Sequence, residues 1–427
     1  MKNKIKERVK DILSRSFVRE FSWHTFANLS VQMFSFLSII FVSRYLGPTN
    51  LGLMSFVQNY LTVFISTVSG MDFYFTWHIV KSENKILETF RFAIQKTYVT
   101  LFIFIFGLSF AYFSFPHDVF ILSLFLFIPF LFSGLSSFWL YALSEKRARL
   151  LGLIQISTAF SSFLLKFSFV QMALPLKAFV FISGLELVVS SVFITLFFFY
   201  KNNFLKELLK IKIPSLIETF KLMLEIRYNL LLTIFWQAVM RADQLLLAKM
   251  TSAYTVGIYA AAVKITEAPN VFVTVLALVT YPRVAEYIKH IKEKNSISLY
   301  KEKLNKIFKM YLISGLVITF CLVALAPLGV KIMYGDRFSD SINILRIYAF
   351  SVPGLFVSYY YMALFGAYEE RKIPAFAAVF VSILNIILVY TLTLKYGVYG
   401  TAFASALAYS VSGFVFYLYH RKYKLYQ

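Results

Sequence analysis

The chain is 427 residues long, 59% hydrophobic and only 15% charged, with 49 Phe and 28 Tyr. Soluble domains average about 45–50% apolar and about 25% charged, so this composition excludes a soluble enzyme and a disordered chain. A net charge of +22 suits phosphate backbones, but the basic residues lie between apolar blocks and form no stripe, which excludes a nucleic-acid binder and fits the basic loops of a membrane protein.

Residues 1–20 are basic and place Ile5, Val9 and Ile12 at helical spacing. They read either as an interfacial helix or as a solvated basic tail. No small-residue cleavage site follows, so the first apolar block is expected to be a retained span. A transmembrane helix needs about 20 mainly apolar residues. The sequence offers twelve such blocks, at 21–43, 53–77, 92–113, 119–141, 150–172, 177–200, 224–248, 255–281, 308–332, 341–366, 373–394 and 397–419. The fold class expected is therefore an all-α integral membrane protein of twelve helices. Domain boundaries follow: a basic segment 1–20, a first six-span lobe 21–200, a cytoplasmic linker 201–223, and a second lobe 224–427 ending in a basic tail.

Charge tests this count. With both termini cytoplasmic, thirty-three of the 43 basic residues fall on the cytoplasmic side and six on the other, while Lys166, Arg241, Lys264 and Arg346 lie within blocks. That asymmetry is the positive-inside pattern. The outer connections are too short for a domain. Equal halves also suggest a parallel duplication. Arg44 with Gly52, and Lys249 with Gly257, recur at an offset of 205 residues.

Polar side chains are costly in lipid and tend to face a bundle interior or a wet cavity. At about 100° per residue, span one carries His24, Asn28, Gln32 and Ser35 on one arc. Span two carries Ser55, Gln58, Asn59, Thr62, Ser66 and Ser69. Span seven carries Asn229, Thr233, Gln237, Arg241 and Gln244, and span eight carries Lys264, Glu267, Asn270 and Thr274. The bland reading of each stripe is helix–helix glue. Four stripes on the first two helices of each half favour a central polar cavity. Spans three, four and nine are almost wholly Phe, Leu, Ile and Val, and are expected to face lipid.

Among the charges, Lys264 and Glu267 are three residues apart and can pair. Arg241 and Asp243 point in different directions, so each needs a partner on another helix or a ligand. Arginine suits bidentate phosphate or carboxylate binding. Arg241 and Lys264 rank highest as substrate contacts, with Arg346 and Lys166 below them. Pro353-Gly354 is expected to bend span ten. No Walker A sequence, HExxH or Cys/His ligand set is present, so neither a catalytic residue nor a bound cofactor or metal is expected, and the lone Cys321 has no disulfide partner.

Several segments resemble a known family. Arg44-Tyr45-Leu46-Gly47-Pro48 with Leu51-Gly52 is similar to a signature of bacterial polysaccharide (O-antigen-type) flippases, in the multidrug/oligosaccharidyl-lipid/polysaccharide exporter superfamily. Asp243-Gln244-Leu245-Leu246-Leu247, followed by Val256-Gly257-Ile258-Tyr259-Ala260-Ala261-Ala262 and Lys264, resembles a second signature. Tyr334-Gly335-Asp336-Arg337-Phe338 with Ile344-Leu345-Arg346, and Tyr396-Gly397-Val398-Tyr399-Gly400-Thr401-Ala402, resemble two more. Met71-Asp72-Phe73 departs from the family, where a Gly-Leu/Phe pair often stands.

The resemblance implies two six-helix lobes around a cavity lined by spans one, two, seven and eight. It implies export of undecaprenyl-diphosphate-linked oligosaccharide by alternating access, driven by a proton or sodium gradient or the membrane potential. The location implied is the bacterial inner membrane, beside a polysaccharide polymerase and chain-length machinery. Arg241, Lys264 and Arg346 would meet the diphosphate or acidic sugars. The competing readings are a small-molecule exporter of the same superfamily, and a membrane polysaccharide polymerase or glycosyltransferase.

Overall fold

The computed structural model describes residues 15–201, 210–293 and 297–422. The basic start (1–14), the middle of the linker (202–209) and the last tail residues (423–427) lie outside that set. So does the side chain of His24. The described residues are helical, with no strand among them.

In chain order the helices are α1 Arg15–Lys81, α2 Lys85–Ser114, α3 His117–Phe130, α4 Ser136–Ser144, α5 Ala148–Gln171, α6 Leu176–Lys201 and α7 Leu216–Glu225. They continue as α8 Arg227–Met250, α9 Ala253–Glu267, α10 Asn270–Lys292, α11 Ile297–Tyr334, α12 Ser341–Tyr348, α13 Ser351–Ala367 and α14 Lys372–Lys422. Ten stretches among the described residues are long and apolar enough to cross a membrane. Two of them, within α1 and α14, are far longer than a bilayer requires. Each is broken by one glycine: Gly47 at φ 69°, ψ 176° and Gly397 at φ 59°, ψ −141°. These are backbone conformations that side chains oppose and glycine permits.

The chain forms two compact units. The first joins the arm of α1 up to Tyr45 with residues Met71–Ile226. Its interior is aromatic: Phe75, Phe127, Phe179 and Phe198 are fully buried, and Phe75 stacks on Phe92 at 4.0 Å between ring centroids. A short 3₁₀ turn, Leu131–Leu135, joins α3 to α4. There Ser133 bonds Thr100 of α2 at 2.8 Å. The linker helix α7 starts on Ser215, whose Oγ accepts from the Glu218 N–H at 3.1 Å, the first half of a capping box. The Glu218 carboxylate in turn accepts from Arg91 of α2 at 2.8 Å.

The second unit joins Leu46–Gly70 with Arg227–Gln427. In it α8 lies along α14, where Asn385 donates to the Val239 carbonyl at 3.0 Å. A second core surrounds Tyr311, Phe356, Tyr360, Leu364 and Phe365, where α10, α11 and α13 meet.

Large apolar side chains on the outer faces of both units are exposed, among them Phe102 and Phe113 of α2 and Phe320 of α11. Such faces are stable only in hydrocarbon, so this is a multi-pass membrane protein. Spans three and nine turn these faces outward as expected. Span four does not follow that expectation. Val119, Leu122, Leu126, Phe127 and Phe130 are buried in the first unit, because an all-apolar sequence serves a packed interior as well as lipid. Span ten bends just before Pro353. The helix breaks at Ala349–Phe350 and Pro353 falls in the first turn of α13, where its missing N–H costs no intrahelical bond.

Candidate functional site

The second unit gathers the charges that rank highest by sequence. Helix α8 ends at Met250, and Ser252 starts α9 by accepting from the Thr255 N–H at 3.3 Å. Helix α9 ends at Glu267; Ala268 keeps helical backbone angles, and Pro269, which has no N–H to donate, interrupts the helical hydrogen bonds there. This short hairpin brings the end of α9 back alongside Arg241 of α8. Arg241 Nη1 donates to Glu267 Oε1 at 2.6 Å. Lys264 Nζ lies 3.4 Å from Glu267 Oε2. One carboxylate thus bridges two cations, and the cluster carries a net charge of +1.

The two cations differ in reach. The Lys264 side chain is 43% exposed and that of Arg241 only 16%. Arg241 Nε has no hydrogen-bond partner. The guanidinium therefore retains N–H donors beyond its ion pair, and Lys264 supplies an accessible charge beside them. A planar guanidinium and a point-charge ammonium side by side are groups that can pair with phosphate or carboxylate oxygens.

Other candidates are placed differently. Asp243 is completely buried, and its carboxylate accepts from Tyr259 Oη at 2.6 Å, the Gln244 N–H at 2.7 Å and Ser405 Oγ at 3.0 Å. Its partners are thus on α8, α9 and α14, and it sits in packed interior, not on an open face. Asn59 is also buried and donates to Gln244 Oε1 at 2.7 Å. Two predicted stripes are here zipped to each other. Gln58, Gln237 and Asn270 are half-buried, and Gln237 Oε1 has no hydrogen-bond partner. Asn28 and Gln32 are exposed on the first arm of α1. Arg346 is exposed and donates to Asn343 one turn back at 3.3 Å.

Two of the first unit's ion pairs lie within its apolar spans. Lys96 of α2 donates to both carboxylate oxygens of Asp72, at 2.6 and 2.7 Å, and also bonds Ser136. Lys166 of α5 donates to Glu186 of α6 at 2.7 Å, and Ser162 bonds the same carboxylate. The second pair belongs to a stripe that the sequence reading passed over. Gln155, Thr158, Ser162 and Lys166 recur at spacings of three and four along α5 and face Glu186 and Ser190. The signal was present in that spacing, but frequent Phe and Leu between these residues masked it. Among the described residues no group of three His, Cys, Asp or Glu forms a metal site.

Two family profiles match the chain. One is described as polysaccharide biosynthesis protein and covers residues 17–288. The other is described as lipid II flippase MurJ and covers residues 153–427. Comparison with the sequences of curated proteins gives no match. Solved structures share the fold at low identity. An inward-facing multidrug resistance MATE family transporter of the MOP superfamily superposes with a TM-score of 0.73 at 15% identity, covering 93% of this chain and 98% of that one. The inward closed conformation of lipid II flippase MurJ gives 0.68 at 14% identity, covering 93% and 87%. A MOP superfamily transporter from Pyrococcus furiosus gives 0.64 at 15% identity, covering 96% and 95%. The chain therefore belongs to the families described as polysaccharide biosynthesis protein and lipid II flippase MurJ.

Proposed function

We propose that this protein is a flippase that carries polyprenyl-diphosphate-linked oligosaccharide repeat units of the O-antigen type across the bacterial inner membrane by alternating access. The observation that carries the reading is the Arg241–Glu267–Lys264 cluster: two cations on one carboxylate, inside spanning helices, one of them 43% exposed. A charge inside a spanning helix costs up to about 2.5–3.5 kcal/mol on insertion scales, so a surplus cation held within such helices points to an anionic partner. A diphosphate supplies one. The polysaccharide and lipid II flippase profiles support a lipid-linked substrate.

The ten apolar stretches, with breaks at Gly47 and Gly397, support twelve passes. The basic loops support cytoplasmic termini. A proton or sodium gradient, or the membrane potential, drives the cycle. A polysaccharide polymerase and chain-length machinery take the exported unit. No residue is assigned a bond-making role, and transport is the whole activity.

The reading is tested with Arg241→Ala in a strain whose own flippase is deleted. The expected result is loss of surface glycan with normal amounts of inserted protein. Normal glycan export would remove Arg241 from the mechanism. A second reading, a small-molecule exporter, is favoured by the similarity to the multidrug MATE fold. It predicts altered drug sensitivity in the same strain without any glycan phenotype.

A further inference from the structure

The first unit contains a cavity of about 980 Å³ walled by the first arm of α1 with α5 and α6. That is at the top of the range of about 300–1,000 Å³ seen for small-molecule sites. Most of its wall is hydrocarbon, with Leu153, Leu185, Val189 and Phe193 prominent. A polar strip runs along α5 and α6, Gln155, Thr158, Ser162 and Ser190 ending at Glu186, and further serines of α1 and α5 line the same wall. Thr158 and Ser190 bond across the two helices at 2.9 Å. Gln155 Oε1 has no hydrogen-bond partner in the protein.

The charges of the strip cancel. Lys166 is 11% exposed and pairs with Glu186, which is 38% exposed. Both Ser162 and Lys166 bond the same carboxylate oxygen, Oε1. What the strip presents to an occupant is therefore a carboxylate with acceptor capacity, an amide and hydroxyls, with no surplus cation. Groups of this kind exchange hydrogen bonds with hydroxyls, and among the described residues no unpaired cation is there to hold a phosphate. A hydrocarbon chain alone fills the apolar wall but leaves the strip unsatisfied, which is costly away from water.

We propose that this cavity binds an uncharged amphiphile with a hydroxyl-bearing head, of the alkyl glycoside or neutral glycolipid class. The hydroxyls lie along Gln155 and Glu186, and the alkyl chain lies against Leu153, Leu185 and Phe193. The proposal does not rest on the flippase reading: the cavity takes a neutral ligand whether or not the protein moves a diphosphate.

The test uses the full-length protein in phospholipid nanodiscs and an alkyl glucoside with a photoreactive diazirine in its chain. The expected result is labelling concentrated in 150–165 and 182–200. Excess octyl glucoside abolishes it, and octyl phosphate at the same concentration does not. Leu185→Trp fills the space and removes the labelling. Gln155→Leu keeps the space and lowers apparent affinity by roughly 2- to 10-fold, the size of one hydrogen bond. Equal competition by octyl phosphate would show a cavity that takes bare alkyl chains and would overturn the proposal. So would labelling spread evenly over lipid-facing α2 and α11. Both readouts are made on the wild-type protein, so they hold even if a variant fails to fold.

Discussion

Gly52 and Gly257 meet back to back in the second unit, each at the point where a side chain on the other would have to stand. A Cβ on Gly52 would fall 2.8 Å from the Gly257 amide nitrogen and onto the Ala253 carbonyl oxygen. A Cβ on Gly257 would fall 3.1 Å from the Gly52 nitrogen and onto the Pro48 carbonyl oxygen. The contact is reciprocal under the offset of 205 residues, since Pro48 and Ala253 are related by the same interval. Reciprocal contacts are what a two-fold relation produces, and they give physical content to the duplication suspected from sequence. The atoms in the way are backbone and cannot swing aside. Gly52→Ala and Gly257→Ala are each expected to destabilise by at least the ~1–3 kcal/mol typical of overpacking. Thermal unfolding in detergent, followed by size-exclusion chromatography, measures this. Wild-type melting in both variants would contradict the packing described.

The Arg241 cluster separates structure from transport through a double substitution. Glu267→Ala leaves Arg241 in a largely buried place without its counter-charge. Breaking a buried pair costs about 3–5 kcal/mol, and the partial exposure of this one puts the expected loss at the lower end. Arg241→Ala together with Glu267→Ala removes both charges, and stability is expected to recover most of that loss. Glycan export is expected to stay absent in the double variant, because Lys264 keeps the net charge of +1 but the planar guanidinium fork that grips phosphate oxygens is gone. Melting temperature and surface glycan are read on the same preparations. Export restored along with stability would reduce the pair to a structural role.

Asp243 is expected to behave in the opposite way. Its two oxygens take donors from α8, α9 and α14, and it reaches no open face. Asp243→Asn replaces one acceptor oxygen with a donor and leaves at least one hydroxyl or N–H without its bond. The cost of an unsatisfied buried group is about 1–3 kcal/mol, seen as a lower melting point. Export per folded molecule is expected to stay within about two-fold of wild type. A stable Asp243→Asn protein that cannot export would place the carboxylate in the transport path.

The spans were legible because a long apolar run has few alternatives to crossing a membrane, and because Lys and Arg gather between the runs. The partner of each buried charge was only half legible. Spacing along one helix identified Lys264 with Glu267, and the sequence required a second helix for Arg241 and Asp243. It could not say that Arg241 meets Glu267 while Asp243 meets Tyr259 and Ser405, since periodicity defines a face but not what lies opposite it. The same limit explains Asn59 and Gln244, read as two polar faces and found bonded to each other. Span four was misread for a related reason. Hydrocarbon and a packed interior select the same residues, and only the three-dimensional neighbours of Phe127 and Phe130 distinguish them. The α5 stripe was missed because frequent Phe and Leu between its polar residues masked the spacing.

Lys96 shows how far this reaches. By sequence it counts among the cytoplasmic cations, yet its side chain is 1% exposed, bound to both oxygens of Asp72 and to Ser136. Asp72 is also where the chain departs from its family pattern, so the acidic residue and its buried cation form one unit. A buried cation without its counter-charge is strongly unfavourable, whereas an apolar pair of similar volume is often neutral or better. Asp72→Ala alone is expected to cost about 3–5 kcal/mol and to reduce the yield of folded protein sharply. Lys96→Met alone leaves a carboxylate that is 28% exposed and partly solvated, so its cost is expected to be smaller. Asp72→Leu with Lys96→Met is expected to restore folding to near wild type. Fluorescence-detected chromatography and melting curves on the three variants check the order. If the double variant is no better than Asp72→Ala, the pair has a role that apolar packing cannot replace, and glycan export in that variant then becomes the measurement that identifies it.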